Sequence, residues 1–173
     1  MISKFVKGKT AVFIDASNIY HSQKRLGFRI DFKKLLDYFK KETDLFSFYF
    51  YTAYDPEHKK QKLFLDFLDI IGYHIRTKKV KFIKDNNKDN DLRGFHKGNL
   101  DVELTIDVLE NKDNYDTLIL FSGDSDFEPL LQLMKMKYKK MCLVMATKYN
   151  VSIDLIKCAK YINIAKLKKY IRK

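Results

Sequence analysis

The chain has 173 residues, 46% of them apolar, which is enough to build a core in one domain and too apolar for a disordered chain. Thirty-four Lys and Arg against 22 Asp and Glu give a formal charge of +12; this suits polyanionic partners, although a surplus made almost wholly of Lys can also follow a genome's base composition. No apolar run nears the roughly 18–20 residues of a membrane helix, Lys4, Lys7 and Lys9 break any signal-peptide core, and Cys142 and Cys158 lack the clustering of a disulfide framework or a structural zinc site.

The expectation is a cytoplasmic protein with no membrane contact. In chain order, residues 11–14 form an unbroken apolar run, matched later by 118–121 and 142–146. Such runs suit strands covered by helices on both faces. Residues 31–41 have helical spacing, with Phe32, Leu35, Leu36 and Phe39 on one side. The aromatic run 46–54 reads as a strand, 57–71 as a helix burying Leu63, Phe64, Phe67, Leu68 and Ile71, and 73–76 as a further strand. Residues 84–99 are almost purely polar and read as a loop. Residues 99–111 are helical in period, and 162–173 form a basic amphipathic stretch that reads as a closing helix. Alternating strand and helix predicts an α/β fold around a central, mostly parallel sheet. With no repeat or linker in view, residues 1–173 read as a single domain.

Three acidic groups, at Asp15, at Asp124 and Asp126, and at Asp101, are expected where a parallel sheet presents ligands, at the carboxyl ends of strands. Asp15 directly follows 11–14, in the string Phe13-Ile14-Asp15-Ala16-Ser17-Asn18; a plain helix N-cap is the competing account. Asp124 and Asp126 follow 118–121, within Ser122-Gly123-Asp124-Ser125-Asp126-Phe127. Pro129 belongs in a first helical turn, so the next helix is expected to begin around Ser125 or Asp126, with Ser125 and Glu128 available as a capping box. On a helical wheel of 99–111, Glu103, Asp107 and Glu110 share one polar side. Asp101 instead falls in the apolar arc beside Leu104 and Val108, where a carboxylate is desolvated unless a donor or a metal pairs it. Asp107 reads as an ordinary wet-face charge. Asp15, Asp101, Asp124 and Asp126 together are hard oxygen donors of the kind that hold Mg²⁺ or Mn²⁺.

These strings resemble the NYN domains, in particular the LabA-like group within the PIN-like nuclease superfamily. The match runs through Phe13–Asn18, then Lys97-Gly98 followed by Asp101-Val102-Glu103-Leu104-Thr105-Ile106-Asp107, and ends in Tyr115-Asp116 and Ser122–Phe127. Two departures stand out: Ala16 where the family often has Gly, and one extra residue between Lys97 and Asp101. The resemblance implies a PIN-like, Rossmannoid three-layer α/β/α sandwich and a metal-dependent ribonuclease, an endoribonuclease on single-stranded RNA. It makes Asp15, Asp101 and Asp124 the metal-binding acids, assisted by Asp126. Asn18, Ser17 and Ser122 become candidates for contact with substrate or support of the site. Lys97 and Arg93, with Lys88, are candidates for holding the RNA backbone; solvated loop charge is the alternative. Tyr20 could stack on a base, although a core role is the plainer reading of any one aromatic. The many aromatics would suit a homodimer if exposed. Two other functions compete: a catalytically silent regulator binding RNA or a protein, and a phosphatase. Ser17 weakens the phosphatase, because that class often has a second Asp two residues after the first.

Overall fold

In the computed structural model, which describes residues 2–84, 94–97 and 99–173 (the side chains of 81–84 and 94–97 aside), strand and helix alternate along the chain. Strand β1 (Lys9–Asp15) leads into α1 (Ala16–Leu26) and α2 (Phe32–Glu42), followed by β2 (Asp44–Tyr54), α3 (Lys59–Ile71) and β3 (His74–Lys79). A two-stranded antiparallel hairpin of β4 (Lys81–Lys84) and β5 (Gly94–Lys97) precedes α4 (Asp101–Glu110). The second half runs β6 (Thr117–Phe121), α5 (Glu128–Met136), β7 (Met141–Ala146), α6 (Ile153–Cys158), β8 (Lys160–Asn163) and α7 (Lys168–Ile171).

The main sheet has six strands, all parallel, in the order β3-β2-β1-β6-β7-β8. Side chains alternate across a strand, so each central strand feeds two cores. Val12, Ile14, Phe48, Phe50, Ile119 and Phe121 face one helical layer, packing with Ile19 of α1, Leu35 and Phe39 of α2, Leu68 of α3 and Ile171 of α7. Ala11, Phe13, Tyr49, Tyr51, Leu118 and Leu120 face the other, with Leu104 and Val108 of α4, Leu131 of α5 and Leu155 of α6. This is the three-layer α/β/α sandwich. Both faces of the sheet are covered, which is why its central strands have no polar alternation.

The chain builds outward from β1 in one direction to β2 and β3, then returns to its other side for β6, β7 and β8. The order therefore reverses between β1 and β6, and such a reversal opens a crevice beyond the carboxyl ends of the two strands.

Several expectations change in detail. The inner side of α3 is Leu65 and Leu68, with Phe64 and Ile71 packed against the same core as expected, whereas Leu63 and Phe67 are exposed. The stretch read as a loop from 84 to 99 carries β5, because antiparallel pairing with β4 satisfies the backbone without an apolar face. The tail read as one helix begins within β8, whose backbone completes the sheet against β7, and only Lys168–Ile171 is α-helical. The helix expected from about Ser125 begins at Glu128 after a 3-10 turn at Ser125–Phe127, with Pro129 in its first turn.

Candidate metal centre

Val12 pairs with Ile119 and Ile14 with Phe121, so the turns after β1 and β6 emerge side by side. After β1, Asp15 does cap α1: its Oδ1 accepts from Ser17 N at 3.0 Å, Ser17 Oγ at 2.7 Å and Asn18 N at 3.3 Å. Its Oδ2 accepts from Ser122 Oγ at 3.0 Å, across 107 residues of sequence. The capping and crevice accounts of Asp15 thus hold together, since a carboxylate has about four acceptor positions.

The turn after β6 is shaped by close contact. A Cβ at Gly123 would land on the carbonyl of Asn150, so only glycine fits there. Ser122 is fully buried, and its Oγ accepts Asp124 N at 3.2 Å. Asp124 Oδ1 in turn accepts Asp126 N at 3.0 Å, which fixes the entry to the 3-10 turn. Asp124, not Ser125, is the cap.

Asp101 is the first residue of α4. Asn99 grips it at both ends: Asn99 Nδ2 donates to Asp101 Oδ2 at 2.6 Å, and Asp101 N donates to Asn99 Oδ1 at 2.9 Å. Leu104 and Val108 are buried one and two turns further on, so Asp101 lies on the inward side of the helix.

One carboxylate oxygen from each of Asp101, Asp124 and Asp126 lies within 4.8 Å of the other two. Asp15 stands outside that trio but lines the same cavity, of about 210 Å³, with Ser17, Tyr51, Asn99, Asp101 and Asp124. Burial raises the Asp101 pKa above the usual carboxylate value. The charges of Asp15, Asp124 and Asp126 raise it further, against the hydrogen bond from Asn99. Among the described residues none of the four aspartates pairs with Lys or Arg. Asn18 Oδ1, one turn from Asp15, is buried without a partner among those residues. A concentration of uncompensated hard oxygen donors fits a divalent cation.

The wet-face assignment of Asp107 is overturned: Asp107 is 8% exposed, while Val102 and Ile106 are 68% and 48% exposed. The wheel follows apolar spacing within the helix, but α4 presents Asp107 to polar partners from the sheet. Tyr51 Oη donates to its Oδ2 at 2.8 Å and Arg76 Nε to the same oxygen at 2.9 Å. Sequence spacing also missed Tyr51 and Asn99 as neighbours of the cavity. The pairing of Asp15 with Tyr51 across β1 and β2 explains the first. An Asn two residues before a helical Asp was a legible sign of the second.

Of the remaining candidates, Ser17 lines the cavity, Ser122 lies beneath it, and Asn18 is half-buried in the first turn of α1. Lys97 stands in β5 opposite Lys81, its side chain outside the described residues. Arg93 and Lys88 fall outside the described residues altogether. Tyr20 is 41% exposed, so it is not a core aromatic.

The family model of the NYN domain matches residues 9–165, from the start of β1 to the segment after β8. The chain belongs to the NYN domain family. The chain is 34% identical over 173 residues to the low amplitude and bright protein LabA of Synechococcus elongatus, covering 98% of the present chain and 90% of that protein. Its fold is similar to the crystal structure of a protein of unknown function from Vibrio parahaemolyticus. The TM-score is 0.74 at 26% identity, over 91% of this chain and 93% of the other. The matched stretch includes the turns after β1 and β6 and the start of α4, so all four aspartates lie within the NYN domain.

Proposed function

We propose that this chain is a divalent-cation-dependent endoribonuclease that hydrolyses phosphodiester bonds in single-stranded RNA in the cytoplasm, with Mg²⁺ or Mn²⁺ as the cation. The observation that carries the reading is the convergence of Asp101, Asp124 and the exposed Asp126 within 4.8 Å, with Asp15 lining one cavity with Asp101 and Asp124, and no cationic side chain among the described residues paired with any of them. Asp101, Asp124 and Asp126 would hold the ion. When bound, it supplies Lewis-acid polarisation of the phosphate and offsets the charge that develops there.

The protein's own residues do the rest. Ser17 and Ser122 pin Asp15 through both of its oxygens; Oδ1 is filled by Ser17 and Asn18, which leaves one lone pair on Oδ2 of a rigid carboxylate to orient the attacking water. Asn99 sets the rotamer of Asp101, and the Ser122–Asp124 contact sets the position of the β6 turn. A cavity of about 210 Å³ takes one phosphate with its ion, so the strand must cross the carboxyl edge of the sheet with its backbone inward.

The test is cleavage of an internally labelled single-stranded RNA by wild type and Asp124→Asn in Mn²⁺, Mg²⁺ or EDTA. The reading requires cation-dependent internal cuts that the variant lacks. Equal cleavage by the two proteins would assign the activity elsewhere. Tight RNA binding without turnover would favour a silent regulator of the same fold.

A further inference from the structure

At the opposite end of the sheet the charge reverses. Lys7 precedes β1, Asp116 precedes β6, Met141 opens β7 and Lys160 opens β8, so all four stand at the amino ends of parallel strands. Together with the ends of α5 and α6 they enclose a groove of about 590 Å³. Its rim carries Lys7, Lys135, Lys139, Lys140, Lys157 and Lys160, and its floor is apolar, including Cys142, Cys158 and Ala159. Asp116 is the one acid in the lining, and its Oδ2 accepts Lys9 N at 3.0 Å. Among the described residues only Lys157 of the six reaches a carboxylate, that of Asp154 at 3.9 Å.

Two observations make this more than scattered lysine. First, a second concavity is lined only by Lys34, Lys166, Lys168, Lys169, Arg172 and Lys173. The two concavities hold twelve cations against one acid, nearly the whole formal excess of +12. A lysine surplus from base composition alone would spread evenly over the surface. Second, Lys139 has φ +55°, the one positive φ at a non-glycine position among the described residues. Glycine or asparagine would sit there with less strain; here the turn places a lysine in the lining of the groove.

From the ribonuclease reading comes the choice of polyanion. We infer that the amino-edge groove is an RNA exosite, which takes the phosphodiester backbone of a single strand on Lys7, Lys139 and Lys160 while the apolar floor receives sugar or base. Strands of five to seven residues separate it from the aspartate cavity by roughly 16–23 Å. A dinucleotide cannot occupy both, whereas a long single strand can. The concave floor is closed to a flat headgroup surface, which sets nucleic acid above a membrane as the ligand.

The experiment measures anisotropy of a labelled long single-stranded RNA in EDTA across a salt series, for wild type, Asp124→Asn and the triple variant Lys7→Ala, Lys139→Gly, Lys160→Ala. Three lost phosphate contacts should lower the log–log salt slope by about 2, with Asp124→Asn like wild type. In Mn²⁺ the triple variant should raise KM for long RNA without changing kcat, and leave dinucleotide hydrolysis unchanged. If the triple variant does not fold, Lys139→Gly alone relaxes the backbone and should lower the slope by about 0.7. A slope equal to wild type in the folded variants overturns the exosite, as does equal competition by polyglutamate. A lowered slope in a protein that cleaves no RNA would uphold the exosite and remove the ribonuclease reading alone.

Discussion

Arg76 Nε donates to Asp107 Oδ2 at 2.9 Å, on the same oxygen that takes the Tyr51 hydroxyl. One buried carboxylate thereby ties α4 to β2 and β3, and it steadies Tyr51, a wall of the aspartate cavity. Asp107→Ala leaves a phenol and a guanidinium without their acceptor, and should cost about 2–3 kcal/mol in urea unfolding. Arg76 is 49% exposed at its side chain, so Arg76→Ala should cost less, about 1 kcal/mol. A loss below about 0.5 kcal/mol for Asp107→Ala would place Asp107 among ordinary surface charges.

Asp101 is held in the native state with its pKa above the ordinary carboxylate value, by burial first and by the other aspartates next. A raised carboxyl pKa means that the folded state binds the proton more tightly than the unfolded chain. Stability is therefore lost as pH rises from the unfolded value, about 3.9, through the raised native one. In EDTA at neutral pH, Asp101→Asn should raise Tm by a few degrees, and the gap should close as pH falls toward about 4. Mn²⁺ at a hundredfold excess over its Kd should stabilise wild type by about 2.7 kcal/mol and the variant by less. A variant that melts below wild type in EDTA at every pH would show that Asp101 is structural.

What could be read in advance follows from how local each feature is. Asp15 and Asp124 were legible because an unbroken apolar run fixes a strand's end, and a parallel sheet collects such ends. Asp101 was legible as a carboxylate inside an apolar arc. Asp107 was not, because its partners lie 56 and 31 residues away on β2 and β3. β4 and β5 escaped because pairing, not hydrophobicity, makes them strands. β8 escaped likewise, since half of it falls in a stretch whose spacing also suits a helix and only the edge of β7 decides between them.

Gly123 is held between the β6 turn and the segment before α6. Its carbonyl accepts Ser152 N at 2.9 Å, and an added methyl meets the Asn150 backbone, which cannot swing aside as a side chain could. Gly123→Ala should cost about 1–3 kcal/mol by overpacking. It also displaces the adjacent Asp124, so RNA cleavage should fall by about a hundredfold, the order expected for a shift near 1 Å. Activity within twofold of wild type would show that the turn absorbs the methyl without moving Asp124.

Ser122 joins the two halves of the centre through one hydroxyl, donating to Asp15 Oδ2 and accepting from Asp124 N, with no exposure to solvent. Ser122→Ala keeps the fold's packing and removes both links, at a cost of about 1–2 kcal/mol. If the hydroxyl positions the two carboxylates, Mn²⁺ affinity should also fall by about tenfold to a hundredfold, as for other groups that orient metal-binding side chains. Calorimetric titration of Mn²⁺ separates the roles, because a purely structural hydroxyl would lower Tm and leave the Kd unchanged. Ser122→Thr, which keeps the oxygen, should recover much of the affinity even where its extra methyl lowers stability.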